Sequence, residues 1–346
     1  MTQSGSSMQA LVLRHDGFSG RVGGLAIPDL AELLAFERIA VPRAGPGQVL
    51  IRVACSPVNP SDLHYIKGEY GQPRRRGTPA GFEGTGTVVA AGDAQGAALV
   101  GKRVSFLASA SGAWAELALT EASACVVLCD GVRDDDAAAL LVNPLTALAM
   151  IALARQAGAH SIVLTAAASQ LGRMLIELAS ERGMTTIAVV RRAGEEAALL
   201  ARGAKTVLVS SAPDFAAQLD ALVRAEKPRI LLDAVGDQTA ADILLAMPAH
   251  SRWISYGMLA DKGPRLAHMG QFVFSGKSIE GFWLSRWLND APAPVRAAAE
   301  SEAQRRFATG LWRTRAAACV RLADALRDLP AALQLAGKVL LVPGEN

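Results

Sequence analysis

Two stretches of the chain carry residues whose types and spacing suggest chemistry on a nucleotide. Between the apolar run "SIVL" and the amphipathic run "RMLIELASERG" stands "TAAASQLG", residues 165–172, where a dinucleotide-binding loop would lie. In G-x-G-x-x-G the first glycine makes a tight turn, the second lets the backbone approach a pyrophosphate, and the third packs the helix against the strand. Aligned on Gly172, this window has Ala167 and Ser169 at the first two positions, so only the packing glycine is present. Taken alone, it also reads as an ordinary strand-to-helix turn. The second stretch decides more. "AVVRR" ends in Arg191 and Arg192, with no acid before Glu195. An NAD site sets Asp or Glu about 20 residues on, to bond the ribose 2′-hydroxyl, whereas two guanidinium groups suit a 2′-phosphate. The pair therefore favours NADPH over NADH; the other reading is a solvated basic turn.

These residues need a frame to position them. At 346 residues the chain is long enough for two domains with separate cores. Residues 8–135 hold short β-rich runs broken by Gly and Pro, among them "MQALVLRH", "QVLIRVACSPVN", "GTGTVVAAG" and "WAELALT". Residues 137–160 favour helix. Strands "SIVLTA", "TTIAVVR", "TVLVS", "RILLDAV" and "RWISYGM" then alternate with helical stretches 171–182, 194–202, 213–226 and 238–247. Near-continuous apolar strands divided by helices indicate a parallel sheet covered on both faces, a doubly wound α/β unit. A further strand, "SIEGFWL", follows. From about residue 292 the chain returns to amphipathic helix and a last strand, "KVLLVP", which is expected to rejoin the first domain.

Composition excludes other classes. The net charge is +3 and the basic residues are scattered, so no nucleic-acid footprint is expected. Four cysteines, Cys55, Cys125, Cys129 and Cys319, do not make a disulfide framework; they read as free or buried thiols in a reducing compartment. The N-terminus shows neither a secretory nor an organelle signal, so a cytoplasmic location is expected. The most membrane-like run, residues 137–154, is interrupted by Asn143 and Pro144 and falls short of the roughly 20 apolar residues of a spanning helix. Asp134, Asp135 and Asp136 precede a helix, where acids complement the dipole. His64 has no carboxylate at triad-like spacing and is expected to pack or hydrogen-bond.

The chain resembles the medium-chain dehydrogenase/reductase superfamily from about Met8 to Pro343. The resemblance is carried by "PGQVLIRVACSPVNPSDLHYIKGEYG", "GFEGTGTVVAAG", "GKRVSF", "LVNPLTALAMI", "LLDAVG" and "GFWLSRW". It implies a GroES-like, mostly β catalytic domain at 1–138 and 292–346 and a Rossmann NADPH-binding domain at 139–291. Asn59 stands where the superfamily's alcohol dehydrogenases have a zinc-binding cysteine and Phe82 where they have a histidine. Glu83 alone cannot hold a catalytic zinc, and the four-cysteine structural lobe is missing, so no metal is expected. "YIKGEYG", "LVNPLTA", "VVRR" and "GFWLSRW" are similar to the 2-enoyl thioester reductases, with NADPH:quinone reductases next.

What that resemblance implies is a hydride passed from NADPH to the β-carbon of an α,β-unsaturated carbonyl, with Tyr70 as proton donor; water is the other donor. The cofactor contacts it implies are Asn143, Ser169, Gln170, Leu171, Arg191, Arg192, Tyr256, Gly257, Met258, Phe282, Trp283 and Lys338. The substrate is a small enoyl or quinone molecule. A quinone needs no positioned acid, and a non-catalytic NADPH sensor or structural dimer is the reading from another class. "SIEGFWL" would lie at a sheet edge, where pairing with a second subunit makes a homodimer.

Overall fold

In the computed structural model, which describes residues 6–21, 23–27 and 29–344, the chain divides into two compact units, residues 1–142 with 300–346 and residues 143–299. The first opens with an antiparallel pair, β1 (Ser7–Leu13) and β2 (Leu34–Ala40). Five more strands follow: β3 (Gln48–Pro57), β4 (Glu83–Ala91), β5 (Arg103–Leu107), β6 (Leu117–Glu121) and β7 (Cys125–Val127).

Helix α1 (Pro60–Lys67) lies between β3 and β4. Pro60 supplies a preset φ at the first helical position, and Asp62 reaches back so that its Oδ2 accepts the Asn59 N–H at 2.7 Å. Leu63 and Ile66 face the core, each burial contributing about 1.5–3 kcal/mol. Gly68, at φ +76°, ends the helix in the left-handed conformation.

The second unit is the expected doubly wound sheet. Its strands are β8 (Ser161–Leu164), β9 (Thr185–Val190), β10 (Thr206–Val209), β11 (Ile230–Asp233), β12 (Arg252–Ser255) and β13 (Ser278–Gly281). All pairings are parallel, in the order β10-β9-β8-β11-β12-β13. Every residue of β8 and β11 is buried, which is why each carries an apolar run, residues 162–164 and 230–232, with its one polar residue, Ser161 or Asp233, at a strand end. The strand order reverses between β8 and β11, the place where such sheets open a crevice at their C-terminal edge. The chain then returns to the first unit as β14 (Ala316–Arg321) and β15 (Lys338–Val342), giving a sheet ordered β14-β15-β3-β4-β5-β7 with β6 paired to β3.

Three local expectations are corrected. The helix placed at 137–160 is two helices, Asp134–Ala138 and Val142–Gln156. The break is made by the Glu83 carboxylate, whose Oε2 accepts the N–H groups of Leu141 at 3.2 Å and Val142 at 2.9 Å. The three aspartates lie inside the first of these helices, and Asp136 is buried, accepting from Thr314 N at 2.6 Å and Arg313 Nη1 at 3.0 Å. It ties the returning segment down. Strand "SIEGFWL" stops at Gly281: Phe282 N donates to Ser255 O, and Trp283 starts the helix Leu284–Asp290.

Burial pushes the Asp62 carboxyl up from 3.8 to about 7, against the opposing pull of the Asn59 and Phe82 N–H groups. Between those two values the native state holds a proton that the unfolded chain has released, so this group's contribution to stability is full below about pH 4 and is lost as pH rises to 7. Urea midpoints are therefore expected to fall between pH 5 and pH 8, and Asp62→Asn to flatten that slope. An equal slope in the variant would remove Asp62 as its source.

Candidate functional site

The C-terminal edge of the parallel sheet gathers most of the expected nucleotide residues. From β8 the chain turns through Ala166, a non-glycine residue at φ +48°, and enters the helix Gln170–Glu181. Ser169 caps that helix, its Oγ accepting the Gly172 N–H at 3.0 Å. Gly172 is needed for close packing: a Cβ there would lie 2.5 Å from Ala167 O and 2.7 Å from Ala166 O. Gln170 and Leu171 form the first turn, and Asn143 Nδ2 donates to Gln170 Oε1 at 3.3 Å. The loop is thus a small-residue turn onto a helix N-terminus, which presents partial positive charge to an anion.

Arg191 and Arg192 follow β9 and are exposed. The nearby acid, Glu195, is taken up by Arg173, whose Nη2 lies 2.8 Å from Glu195 Oε2 while its Nε donates to Ala168 O at 3.0 Å. Sequence reasoning missed Arg173. Its position one residue past the packing glycine is the signal that could have found it.

Tyr256, Gly257 and Met258 follow β12, and Phe282 and Trp283 follow β13, so all five project from the same sheet edge. The Tyr256 hydroxyl is buried with no hydrogen-bond partner, and burial together with the Asp233 charge holds its proton on strongly. A buried polar atom without a partner is costly unless something supplies one. Gly257 again marks close approach, since a Cβ would lie 2.6 Å from Ala234 O. The small turn, the capped helix, the two arginines and the unsatisfied hydroxyl fit a dinucleotide carrying a 2′-phosphate.

The remaining expected residues, Tyr70 and Lys338, are in the first unit. Tyr70 is half-buried on the loop after α1, its ring centroid 5.0 Å from that of Phe82; Tyr65 packs on Phe82 as well, at 4.9 Å. Phe82 is fixed through its N–H, which donates to Asp62 Oδ1 at 2.8 Å. The phenol is therefore held by an aromatic stack whose centre is anchored to a buried carboxylate. His64 is buried and has Nδ1 3.4 Å from Glu69 Oε2, which also pairs with Lys67 Nζ at 2.8 Å.

Lys338 is buried, and its Nζ donates to Asn59 Oδ1 at 2.6 Å. Asn59 Nδ2 in turn donates to Glu83 Oε1 at 2.8 Å. Burial raises the Glu83 pKa and lowers that of Lys338, each opposed by the charge of the other. Asn59, Phe82 and Glu83 stand at the positions where the resemblance to the alcohol dehydrogenases would put zinc ligands. Here a lysine ammonium occupies the Asn59 oxygen, Phe82 offers no donor atom, and no thiolate or imidazole joins Glu83, so the donor set does not fit zinc. Among the described residues no group of three or more His, Cys, Asp or Glu is arranged to hold a metal, and no helix is long and apolar enough to cross a membrane.

Both halves of this arrangement match known families. The alcohol dehydrogenase GroES-like domain matches residues 45–130, and the zinc-binding dehydrogenase family matches residues 171–300. A crystal structure from Mesorhizobium loti, provisionally named an NADPH:quinone reductase, is 47% identical with a TM-score of 0.93, covering 99% of this chain and 100% of that one. The mitochondrial enoyl-acyl-carrier-protein reductase of Bos taurus is 28% identical over 290 residues, 82% of this chain and 74% of the relative. A mycobacterial protein solved with NADPH is 25% identical with a TM-score of 0.76, covering 97% of this chain and 100% of that one. With a mostly β unit, a doubly wound unit and relatives of this kind, the chain belongs to the medium-chain dehydrogenase/reductase superfamily and is one of its reductases.

Proposed function

We propose that the protein is a metal-independent, NADPH-dependent reductase of an α,β-unsaturated carbonyl, with a 2-enoyl thioester as the substrate class. Tyr70, stacked on Phe82 and held on a loop tied to α1, carries the reading, because a positioned phenol serves enolate protonation and serves quinone reduction little. The second reading, a quinone reductase, is favoured by the name of the Mesorhizobium loti relative.

In the proposed reaction bound NADPH supplies the hydride for the β-carbon. The protein's own residues do the rest. Arg191 and Arg192 bind the 2′-phosphate, with Glu195 kept out of opposition by Arg173. The helix N-terminus capped by Ser169 faces the pyrophosphate, Asn143 and Gln170 orient each other beside the nicotinamide, and Tyr256 through Met258 with Phe282 and Trp283 line the same edge. Tyr70 gives its proton to the α-carbon as the enolate collapses and recovers it from solvent, so one hydride and one proton saturate the double bond. Lys338, held on Asn59, supports the start of α1 in this reading rather than making a direct cofactor contact.

The protein is proposed to act as a homodimer in the cytoplasm, where its four free thiols suit a reducing medium. Edge strand β13 leaves Ile279 41% exposed, and close by in sequence Val273 and Phe274 are 71% and 89% exposed, an apolar surface that a second copy would cover.

Tyr70→Phe is expected to slow reduction of crotonyl-coenzyme A by about 10²-fold or more while leaving quinone reduction within about threefold; equal losses on both acceptors would end the donor role. Replacing Arg191 and Arg192 together by Ala is expected to weaken NADPH binding by about 10- to 100-fold in fluorescence titration, with NADH binding little changed. A parallel loss for NADH would assign the pair to general electrostatics. Light scattering of the wild type should give twice the chain mass, and Phe274→Asp should shift it to the monomer; a monomeric wild type at micromolar concentration contradicts the dimer.

A further inference from the structure

We infer that Arg74 is a positioning residue for Tyr70, closing the loop that carries the phenol back onto the helix from which it departs. The inference rests on the reading of Tyr70 as proton donor and adds a residue to which no role has been given. Arg74 follows Tyr70 by four positions and is only 8% exposed. Its Nη1 donates to Ile66 O at 3.1 Å, in the last turn of α1, and its Nε donates to Gly17 O at 3.0 Å. Backbone pairing with Gly17 in both directions, at 2.9 and 3.2 Å, fixes the same residue a second time.

The seat for this side chain is Gly68. A Cβ there would lie 2.6 Å from the guanidinium carbon, so the arginine lies flat over the end of α1 because the helix stops in a residue without a side chain. A planar fork with several donors can bond the helix terminus and the neighbouring segment at once, which a lysine cannot do. The positive charge also meets the negative end of the helix dipole. At its start the loop is tied to α1 by Glu69 N, which donates to His64 O at 2.9 Å, and the ring of Tyr65 shares Phe82 with Tyr70. Tyr70 is therefore confined from both ends of its loop and by the ring beneath it.

No carboxylate forms an ion pair with Arg74 among the described residues, and burial lowers its pKa. Burying a cation against carbonyls, with only the more distant Asp16 charge to oppose the cost, is a poor way to gain stability. What the guanidinium supplies is a fixed loop, and a phenol displaced by an ångström loses most of its value as a donor.

The test compares Arg74→Ala, Arg74→Lys and Tyr70→Phe, singly and combined, with crotonyl-coenzyme A and with a quinone. Arg74→Ala is expected to lower kcat for the enoyl substrate by about 10²-fold with KM and NADPH affinity changed by less than about threefold, and to spare quinone turnover. Arg74→Lys should recover little, whereas added guanidinium ion should restore part of the Arg74→Ala activity. In the Tyr70→Phe background, loss of Arg74 should add almost nothing. Should Arg74→Ala fail to fold, Arg74→Gln, which keeps most of the side chain's bulk but not its fork of donors, is expected to show the same selective loss. Full additivity in the double variant, or equal losses on both acceptors, overturns the positioning role. Tyr70→Phe crippling enoyl reduction while Arg74→Ala spares it overturns that role alone, and an unimpaired Tyr70→Phe overturns the donor assignment beneath it.

Discussion

A carboxylate with no access to water holds together the nucleotide edge of the second unit. Asp233 ends β11 fully buried, yet it accepts from Thr165 Oγ1 at 2.5 Å, Trp253 Nε1 at 3.0 Å, Val235 N at 3.0 Å and Gly236 N at 2.9 Å. Those donors belong to the end of β8, to the second residue of β12 and to the turn after β11 itself. Burial raises its pKa and the four donors pull it back, so the group is an expensive one made tolerable by saturation. The turn into the Ser169 loop and the crossover after β11 depend on those carboxylate oxygens, while Tyr256 N donates to the backbone oxygen of the same residue at 2.8 Å. A crevice bounded by three strand ends needs those ends fixed relative to one another, and one side chain does so.

The first unit uses the same device with different chemistry. Glu83, Asn59 and Lys338 form a buried chain from β4 to the start of α1 to β15, while Asp62 binds the N–H groups of Asn59 and Phe82. Where a metal ion would bring four donors together by coordination, hydrogen bonds and one ammonium fix the same backbone. The aromatic stack under Tyr70 grows out of that network, because Phe82 is held at its amide and its ring is left to pack.

The doubly wound unit was legible because its strands are buried on both faces and read as apolar blocks, and because helices separate them at regular spacing. The two arginines after β9 stood out by the absence of an acid. What stayed hidden are contacts set by distant parts of the chain. Arg173 and Glu195 meet across 22 positions, and Arg74 is buried beside the exposed Arg75 and Arg76. Lys338 finds Asn59 across 279 positions. The break at residues 139–141 was hidden for the same reason: local propensity in "AAALLVN" favours continuous helix, and a carboxylate from β4 overrides it.

The place of β15 in its sheet has a consequence for how the chain comes to be made. This strand lies between β14 and β3, and it carries Lys338, while Asn59 and Glu83 are synthesised some 250 residues earlier. The second unit is continuous in sequence, so it can close while the first still lacks the two strands at one end of its sheet. Until the returning segment leaves the ribosome, β3 lacks its partner at Ser56 and Pro57, and the Glu83 carboxylate has no counter-charge from Lys338. The first unit therefore completes its sheet only after the whole of the second unit has been synthesised.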